Sequence, residues 1–351
     1  MDFRLLTRDY FVSRYLDKQH YLEGGNPHGK TVVFIHGNTS TSAYWKPLAE
    51  LFDPDRFHLL IPDLNGFGQS RIRPVDARTG VKDWAADIIR LLDAHQVQKA
   101  TFVCSSLGGI VGWWLLAHHP SRIEQLIQIA PGSPFGFGGT QGAEGKPNFP
   151  DFAASGAGMS SRALVERIKK GDRTQNEPKL TSPSWVLQNH VFRNKVQLHE
   201  EHPLLDGMMQ LDTSEGGFPG TVESSENWPG YAPGERGIVN AISPKHLTGL
   251  RDDVVASGRS GVPVHWLRGS EDSIVSDRSD SDPAVQGMLG LIPEWPGEEI
   301  APPQPMLTQT RIMLEAYANN GGSYKEIVLD GLGHCPYVED PAATRRVIFD
   351  I

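Results

Sequence analysis

Short runs of apolar residues alternate with amphipathic segments over the first third of the chain. The run TVVFI at 31–35 is short and rich in β-branched residues, which is typical of a buried strand in a parallel sheet. Trp84, Ile88 and Leu91 are spaced to share one helix face. These patterns predict strands at 9–14, 19–23, 31–35, 57–61, 100–103 and 123–130, and helices at 42–52, 81–95 and 107–116. Alternation of this kind indicates the α/β class, with a mostly parallel sheet covered on both faces.

The pattern changes after Ala130. Residues 131–151 are dense in Gly and Pro, which predicts a mobile linker. Helices are predicted at 161–170, 184–196 and 243–257, and the α/β pattern resumes with strands at 262–267 and 325–329 and helices at 306–318 and 341–351. We therefore expect an α/β core, formed by 1–134 and 261–351, with a large, mainly helical and irregular cap (135–260) inserted after the sixth strand.

Composition and charge narrow the choice of partners. The chain has 351 residues and a net charge of −9, without a dense Lys/Arg run, so neither nucleic acid nor a membrane is expected as a partner. Residues 1–19 are interrupted by charges, unlike a signal peptide, and no apolar run approaches the roughly 20 residues of a membrane helix. Cys104 and Cys335 cannot form a disulfide framework, although a regulatory bridge between them is an alternative. These features predict a reduced cytoplasmic protein and leave its oligomeric state open.

The stretch KATFVCSSLGG at 99–109 joins the fifth predicted strand directly to a helix. A serine at such a turn, with small residues two positions before and after it, has the pattern of a nucleophile elbow. Small residues are needed because the strand end and the helix start nearly touch, and the turn residue is strained, typically by ~1–3 kcal/mol. Cys104 stands where this pattern usually has glycine. Ser106 is the predicted nucleophile, and Ser105 is the alternative.

Two further reactive groups follow predicted strands, Asp272 after 262–267 and His334 after 325–329. The carboxyl ends of parallel strands lie at one edge of a sheet, where sites form. A serine hydroxyl needs a base within hydrogen-bond reach, and that base needs a carboxylate to orient it and to stabilise the imidazolium. Ser106, Asp272 and His334 are therefore the predicted catalytic triad. Glu271 is the alternative acid.

The order nucleophile, acid and histidine resembles that of the α/β-hydrolase fold. The resemblance covers about residues 9–134 and 261–351 and includes the elbow. HGN at 36–38 is similar to the family's oxyanion loop, and DLNGFGQS at 63–70 is similar to its Asp-x-x-Gly-x-Gly-x-Ser turn. Gly-x-x-Asp at 269–272 is similar to its acid loop, and Gly-His at 333–334 is similar to its histidine loop. The cap matches no named motif.

The resemblance implies that the backbone N–H groups of Asn38 and Leu107 form the oxyanion hole. Loss of one such donor typically costs about 2.7–4 kcal/mol in the transition state. The Asn38 side chain is either a further donor or a partner within its own loop. His36 is interpreted as a histidine that packs the loop, and Asp63 as a carboxylate that binds loop amides.

No cofactor and no metal are expected. The sequence HEEH at 199–202 lacks the His-Glu-x-x-His spacing and a third ligand, so a solvated segment is the interpretation. The acidic run at 277–282 lacks the spaced ligands and the glycine of a calcium loop.

The residue at the elbow determines the predicted reaction. The HGN motif followed by Trp45 resembles that of haloalkane dehalogenases and epoxide hydrolases. This second resemblance implies an aspartate at the elbow, and the elbow of this chain has none. Serine indicates a serine esterase or lactonase that cleaves a carboxylic ester or lactone of a small to medium hydrophobic molecule through an acyl-serine. The alternatives are hydrolysis of a carbon–carbon bond, as in the meta-cleavage hydrolases, and a non-catalytic ligand receptor on the same scaffold.

Aromatic and methionine side chains of the cap are the candidates for substrate contacts. They either line a pocket above Ser106 or form the core of the cap, and they are Trp185, Phe192, Met208, Met209 and Trp228.

Overall fold

Eight strands form one sheet in the computed structural model, which describes residues 10–193, 195–199 and 201–349. They are β1 (Phe11–Leu16), β2 (Gln19–Gly25), β3 (Lys30–Ile35), β4 (Phe57–Pro62), β5 (Ala100–Ser105), β6 (Ile123–Ile129), β7 (Pro263–Gly269) and β8 (Ser323–Leu329). Their order across the sheet is β1-β2-β4-β3-β5-β6-β7-β8. The pairs β1–β2 and β2–β4 are antiparallel and all others are parallel. The predicted mostly parallel sheet is confirmed; Asp9, placed in its first strand, lies outside the described residues.

The described residues also form helices. They are α1 (Lys46–Ala49), α2 (Gly80–Ala94), α3 (Leu107–His118), α4 (Arg162–Lys169), α5 (Pro183–Trp185), α6 (Pro203–Met209), α7 (Ile238–Ala241), α8 (Leu250–Ala256), α9 (Pro283–Met288), α10 (Met306–Asn319), α11 (Pro336–Glu339) and α12 (Pro341–Phe349). Helices α2, α3, α8 and α10 pack side by side in that order, and α1, α11 and α12 contact one another. Four tryptophans anchor the core at 1% exposure or less: Trp45, Trp84, Trp113 and Trp266.

Two predicted helices differ from the observed ones. The helix predicted over 243–257 is divided, because Gly249 adopts a left-handed φ of +87° between a short 3₁₀ turn at Pro244–His246 and α8. The helix predicted over 184–196 is observed as α5 followed by a π-helix, Val186–Val191. Apolar spacing alone does not distinguish these backbone variants, since it reports only which positions share a face.

The glycine-rich segment 131–151 is folded, so the prediction of a mobile linker is wrong. Two buried glutamines of the structure fasten it. Gln304 accepts a hydrogen bond from the Gly138 N–H at 2.6 Å, and Gln309 accepts one from the Ser133 hydroxyl at 2.7 Å. The glycines here provide left-handed backbone, as at Gly138 with φ +85°, for a packed path rather than for flexibility.

Residues 135–260 add no strand to the large sheet within the described part of the chain. They form helices α4–α8 and two small hairpins, Thr140–Gln141 with Lys146–Pro147 and Val222–Ser224 with Tyr231–Pro233. Although it lies in the predicted cap range, α8 packs between α3 and α10. The division into a core and a cap stays a prediction.

None of the helices described between residues 10 and 349 has the length and apolar character that a membrane span requires.

Candidate active site

Ser106 occupies a one-residue turn between β5 and α3, with φ +55° and ψ −119°. A left-handed φ strains a residue other than glycine, typically by ~1–3 kcal/mol. The turn brings neighbouring chains very close: a Cβ on Gly37 would lie 2.8 Å from the Cβ of Ser106, and one on Gly108 would lie 2.5 Å from the backbone oxygens of Ile35 and His36. The hydroxyl of Ser106 is thereby held at the N-terminus of α3, where the helix dipole favours negative charge.

Cys104 fits the elbow because the residue of α3 that faces it, Gly112, has no side chain. Its thiol is fully buried, and the Sγ lies 3.1 Å from the point where a Cβ of Gly112 would stand. The usual glycine on the strand is thus replaced by a larger residue that meets a glycine on α3.

The two serines of the turn have different surroundings. Ser105, the last residue of β5, is fully buried, with its hydroxyl beside the Tyr337 phenol. Ser106 is half-buried. Of the two, Ser106 is the one that a substrate can reach.

His334 and Asp272 form a buried hydrogen-bonded pair. The Nδ1 of His334 lies 2.9 Å from Oδ2 of Asp272, and Oδ1 of Asp272 accepts the backbone N–H groups of Ile274 and Val275 at 2.8 and 3.0 Å. Burial alone lowers the pKa of His334, but the charge of Asp272 and its hydrogen bond outweigh that effect, so the pKa is raised. The alternative acid, Glu271, is exposed to solvent.

The loop after β3 carries one of the two candidate oxyanion donors, Asn38, and the other, Leu107, is the first residue of α3. Thr39 has a left-handed φ of +54°, and its N–H donates to Oδ1 of Asn38 at 2.9 Å. The side-chain oxygen of Asn38 therefore has a partner within its own loop. His36 is fully buried; its Nδ1 donates to the Gly37 carbonyl at 2.8 Å, and its Nε2 accepts from Leu64 N–H at 3.0 Å.

Asp63 connects three loops near this edge of the sheet. Its carboxylate accepts the backbone N–H groups of Ser42 at 2.7 Å and Gln69 at 3.0 Å, and it lies 2.7 Å from Nδ1 of His20. Burial raises the pKa of Asp63, but these hydrogen bonds together with the nearby histidines lower it overall. The geometry agrees with the interpretation of Asp63 as a structural carboxylate.

The cap candidates are placed in different environments. Phe192 and Met208 are buried in the hydrophobic core, and the Phe192 ring centroid lies 6.1 Å from that of Tyr44. Trp185 is half-buried. Trp228 donates from its indole nitrogen to the Pro293 carbonyl at 2.8 Å. Met209 is partly buried against the same core. Packing accounts for these contacts, and the role of all five candidates in substrate binding stays a prediction.

The π-helix supplies contacts to the histidine loop that sequence reasoning missed. The backbone N–H of His334 donates to the Val191 carbonyl at 3.4 Å. Nε2 of His190 lies 2.9 Å from the Ser281 hydroxyl, and burial lowers the pKa of His190 despite the nearby acidic groups. Insertions of π-helix are frequent at functional sites. No feature of the sequence pattern distinguishes a π-helix from an α-helix here.

One cluster of the described residues has the composition of a metal site: Glu23, His58 and His95, with ligand atoms within 4.8 Å of one another. Its chemistry does not fit a metal. Nε2 of His58 already lies 3.0 Å from the Glu23 carboxylate, and Arg14 pairs with the same carboxylate. A metal on Nε2 would also require a proton on Nδ1 of His58, which is buried without a partner.

His202, the last residue of the HEEH sequence, caps a helix. The Nδ1 of His202 accepts the N–H of Leu204 at 3.2 Å at the start of α6. Glu200 lies outside the described residues.

A strained serine, a buried histidine–carboxylate pair and a tight glycine loop at the strand ends of a mostly parallel sheet define the class of α/β-hydrolase-fold proteins. Residues 30–156 match the family model for the alpha/beta hydrolase fold. The chain thus has the alpha/beta hydrolase fold.

Three curated relatives are similar over less than half of their length. A cis-3-alkyl-4-alkyloxetan-2-one decarboxylase of Shewanella oneidensis is 32% identical over 38% of this chain and 42% of its own. A 2-hydroxymuconate semialdehyde hydrolase of Pseudomonas sp. is 30% identical over 28% and 35%. A 3-oxoadipate enol-lactonase 2 of Acinetobacter baylyi is 30% identical over 30% and 39%.

Solved structures share the fold over nearly the whole chain. The enol-lactonase from Burkholderia xenovorans LB400 has a TM-score of 0.55 at 17% identity, covering 97% of this chain and 98% of that one.

Proposed function

We propose that this protein is a serine hydrolase that cleaves a carboxylic ester or lactone of a small to medium hydrophobic molecule. The observation that carries the proposal is the pair His334 and Asp272, whose Nδ1 and Oδ2 atoms lie 2.9 Å apart. The two residues follow β8 and β7, and the strained, half-buried Ser106 follows β5 of the same sheet. A histidine oriented by a buried carboxylate is what an alcohol nucleophile requires.

In the proposed reaction, His334 removes the proton of Ser106 as the hydroxyl oxygen attacks the carbonyl carbon. The backbone N–H groups of Asn38 and Leu107 donate to the resulting oxyanion. The imidazolium, stabilised by Asp272, then protonates the leaving alkoxide, leaving an acyl-serine. Water, deprotonated by His334, releases the acid and restores Ser106. For a lactone, the leaving alkoxide stays attached to the acyl group, so one product is released.

The substrate class rests on chemistry and on the relatives' names. One relative is named as an enol-lactonase, and another for an oxetan-2-one, a four-membered cyclic ester. Trp185, Phe192, Met208 and Trp228 are the proposed hydrophobic contacts of a small-molecule substrate, with no metal or cofactor needed for acyl transfer. A cytoplasmic location is part of the proposal, since Cys104 and Cys335 are buried free thiols.

Hydrolysis of a carbon–carbon bond is the second candidate, favoured by the similarity to a 2-hydroxymuconate semialdehyde hydrolase. The same three residues would serve it, because water attack on a vinylogous ketone also passes through an oxyanion. A panel of aryl esters, lactones and a 2-hydroxy-6-oxodienoate separates the two: the higher kcat/KM identifies the class. Tight binding without turnover of any of them would instead indicate a ligand receptor.

Labelling with a fluorophosphonate tests the nucleophile directly. We expect one covalent adduct on Ser106 in the folded protein, detected by peptide mass spectrometry, and none in the Ser106→Ala variant. The Ser106→Ala variant should lose about 10⁴-fold or more in kcat on p-nitrophenyl butyrate. Ser105→Ala is the matched control and should retain labelling and most activity, because Ser105 is buried beside Tyr337. Absence of labelling, or loss confined to Ser105→Ala, would contradict the proposal.

A further inference from the structure

Three consecutive backbone N–H groups at the histidine loop are all hydrogen-bonded. Glu339 provides two of the acceptors: its Oε2 accepts the N–H of Gly333 at 2.6 Å, and its Oε1 accepts the N–H of Cys335 at 2.9 Å. The N–H of His334 between them donates to the Val191 carbonyl at 3.4 Å. One carboxylate therefore binds the N–H groups of the residues immediately before and after His334.

The Glu339 carboxylate is partly buried, which is unfavourable for its charged form. Glu339 is the last residue of α11, and burial raises the pKa of its side chain although both backbone N–H groups lower it. A half-buried carboxylate is retained only where hydrogen bonds replace its lost hydration. Here both oxygens are used on the loop that carries the base and neither is used to cap the helix α12 that follows.

We propose that Glu339 is a positioning residue for His334, fixing the loop so that the imidazole meets Ser106 and adding negative charge beside the imidazolium. This inference rests on the proposed function. The N–H groups before and after His334 are fixed by Glu339, and that of His334 itself is bound by Val191. Together these hydrogen bonds restrain the position of the His334 Cα and the direction of its Cβ. Displacement of a catalytic group by about 1 Å can cost about 100-fold in rate.

The charge of Glu339 acts in the same direction as that of Asp272. Both raise the pKa of His334, which burial alone would lower. The charge of His334 also lowers the pKa of His190 of the π-helix, and Arg193 lies beside Gly333. Loss of the Glu339 charge is therefore expected to lower the pKa of His334.

Asp340 offers a matched control one residue away. Its carboxylate accepts the N–H of Ala343 at 2.9 Å, at the start of α12. The substitution Asp340→Asn thus removes a neighbouring negative charge without removing a hydrogen bond to the histidine loop.

The test compares Glu339→Gln, Glu339→Asp and Asp340→Asn on p-nitrophenyl butyrate, with kcat expressed per fluorophosphonate-labelled site. In Glu339→Gln one acceptor becomes an N–H₂ group facing a donor, so kcat should fall by about ten- to a hundredfold at similar KM, and the acid limb of kcat/KM should move to lower pH. Glu339→Asp keeps the charge but is too short to reach both amides, so kcat should fall while the limb stays near its wild-type position. Asp340→Asn should match the wild type in both.

The positioning role is overturned if Glu339→Gln keeps the wild-type kcat per labelled site and the wild-type acid limb. It is equally overturned if the loss of activity follows only the loss of labelled, folded protein. If the wild type itself is neither labelled nor active, the proposed function has failed, and the ¹³C-labelled His334 ring then provides the readout by NMR titration. A lower pKa of His334 in Glu339→Gln than in Asp340→Asn supports the inference, and equal pKa values reject it.

Discussion

At the scale of single residues, Ser105 and Ser106 show how one peptide unit separates packing from chemistry. Ser105 ends β5 with extended backbone pairing and is fully buried. Ser106 has left-handed backbone and is half-buried. The sequence could not distinguish the two with certainty, because adjacent serines fit almost the same pattern. The left-handed φ at Ser106 is the physical difference that favours it as the proposed nucleophile.

The pH dependence of kcat/KM follows from the His334–Asp272 pair. In the proposed reaction His334 must be neutral to accept the proton of Ser106, and the pKa of His334 is raised above the usual 6.5. Activity should therefore fall as the pH decreases through a value above 6.5. In Asp272→Asn burial becomes the dominant effect on the pKa of His334 and lowers it. The acid limb of kcat/KM should therefore move to lower pH, and kcat should fall by about 10⁴-fold. A pH profile on p-nitrophenyl butyrate measures both effects.

Glu271→Gln is the control for that profile, because Glu271 adjoins Asp272 but is exposed. It should leave the limb and kcat unchanged. A large loss in Glu271→Gln with an active Asp272→Asn would reassign the acid.

The candidate residues themselves could be predicted from the sequence. The hydrogen bonds that hold their loops in place could not. Ser106, Asp272 and His334 each follow a strand, and the ends of parallel strands converge at one edge of the sheet. The hydrogen bonds of Glu339 depend on how α11 turns back onto the loop before it. No periodicity reports such a turn, so only the structure reveals it.

At the scale of elements, the contact between β5 and α3 depends on two residues of matched size, a larger one on the strand and one without a side chain on the helix. Cys104 on the strand faces Gly112 on the helix, as described for the elbow. The amide of Gln128 completes the contact, since its Nε2 lies 2.9 Å from the point where a Cβ of Gly112 would stand. This compensation explains how the elbow tolerates a cysteine where glycine is usual.

Gly112→Ala tests that compensation. The added methyl group meets Cys104 and Gln128, so we expect a loss of about 1–3 kcal/mol in the free energy of unfolding. Cys104→Gly should relieve part of the clash, giving a coupling of about 1 kcal/mol in the double variant. Urea unfolding of the two single variants and the double variant measures it. Strict additivity would show that the strand and the helix are not matched in this way.

Elements with regular apolar spacing were predictable, and those governed by backbone detail were not. The strands and the long helices α2, α3 and α10 agree with the predictions within a few residues. Gly249 divides a predicted helix, and the π-helix at Val186–Val191 replaces another. The segment 131–151 has a linker composition but is fixed by Gln304 and Gln309, which lie more than 150 residues later. Such long-range hydrogen bonds leave no local pattern.

At the scale of the whole molecule, irregular segments far apart in the chain are joined by buried polar groups. Asp282 accepts the N–H of Ala284 at the start of α9 and the N–H of Gln304, both at 2.8 Å. Gln304 in turn binds the backbone of Gly136 and Gly138. Burial raises the pKa of Asp282 to about 6. The stability of the fold therefore depends on the protonation of a group outside the candidate site.

Asp282 should make the free energy of unfolding pH-dependent. Because its folded pKa of about 6 exceeds the usual 3.8, its contribution is fully present below pH 3.8 and is lost as the pH rises through 6. Relative to Asp282→Asn, the wild type should lose up to about 3 kcal/mol between pH 4 and pH 7. Urea unfolding across that range measures the difference. Asp280→Asn, a substitution at an exposed residue, leaves Asp282 in place and should therefore follow the pH trend of the wild type. The assignment is contradicted if Asp282→Asn follows that trend as well.

The burial of both thiols has a practical consequence for spectroscopy. The chain contains two cysteines; Cys104 is fully buried and Cys335 is 5% exposed, and burial raises the pKa of each thiol. Maleimides and methanethiosulfonates react with exposed thiolates. We therefore expect that neither native thiol reacts with these reagents in the folded protein. A single cysteine introduced at an exposed position, such as that of Leu180, would carry a fluorophore or spin label alone, without removal of the two native cysteines beside the elbow and in the histidine loop.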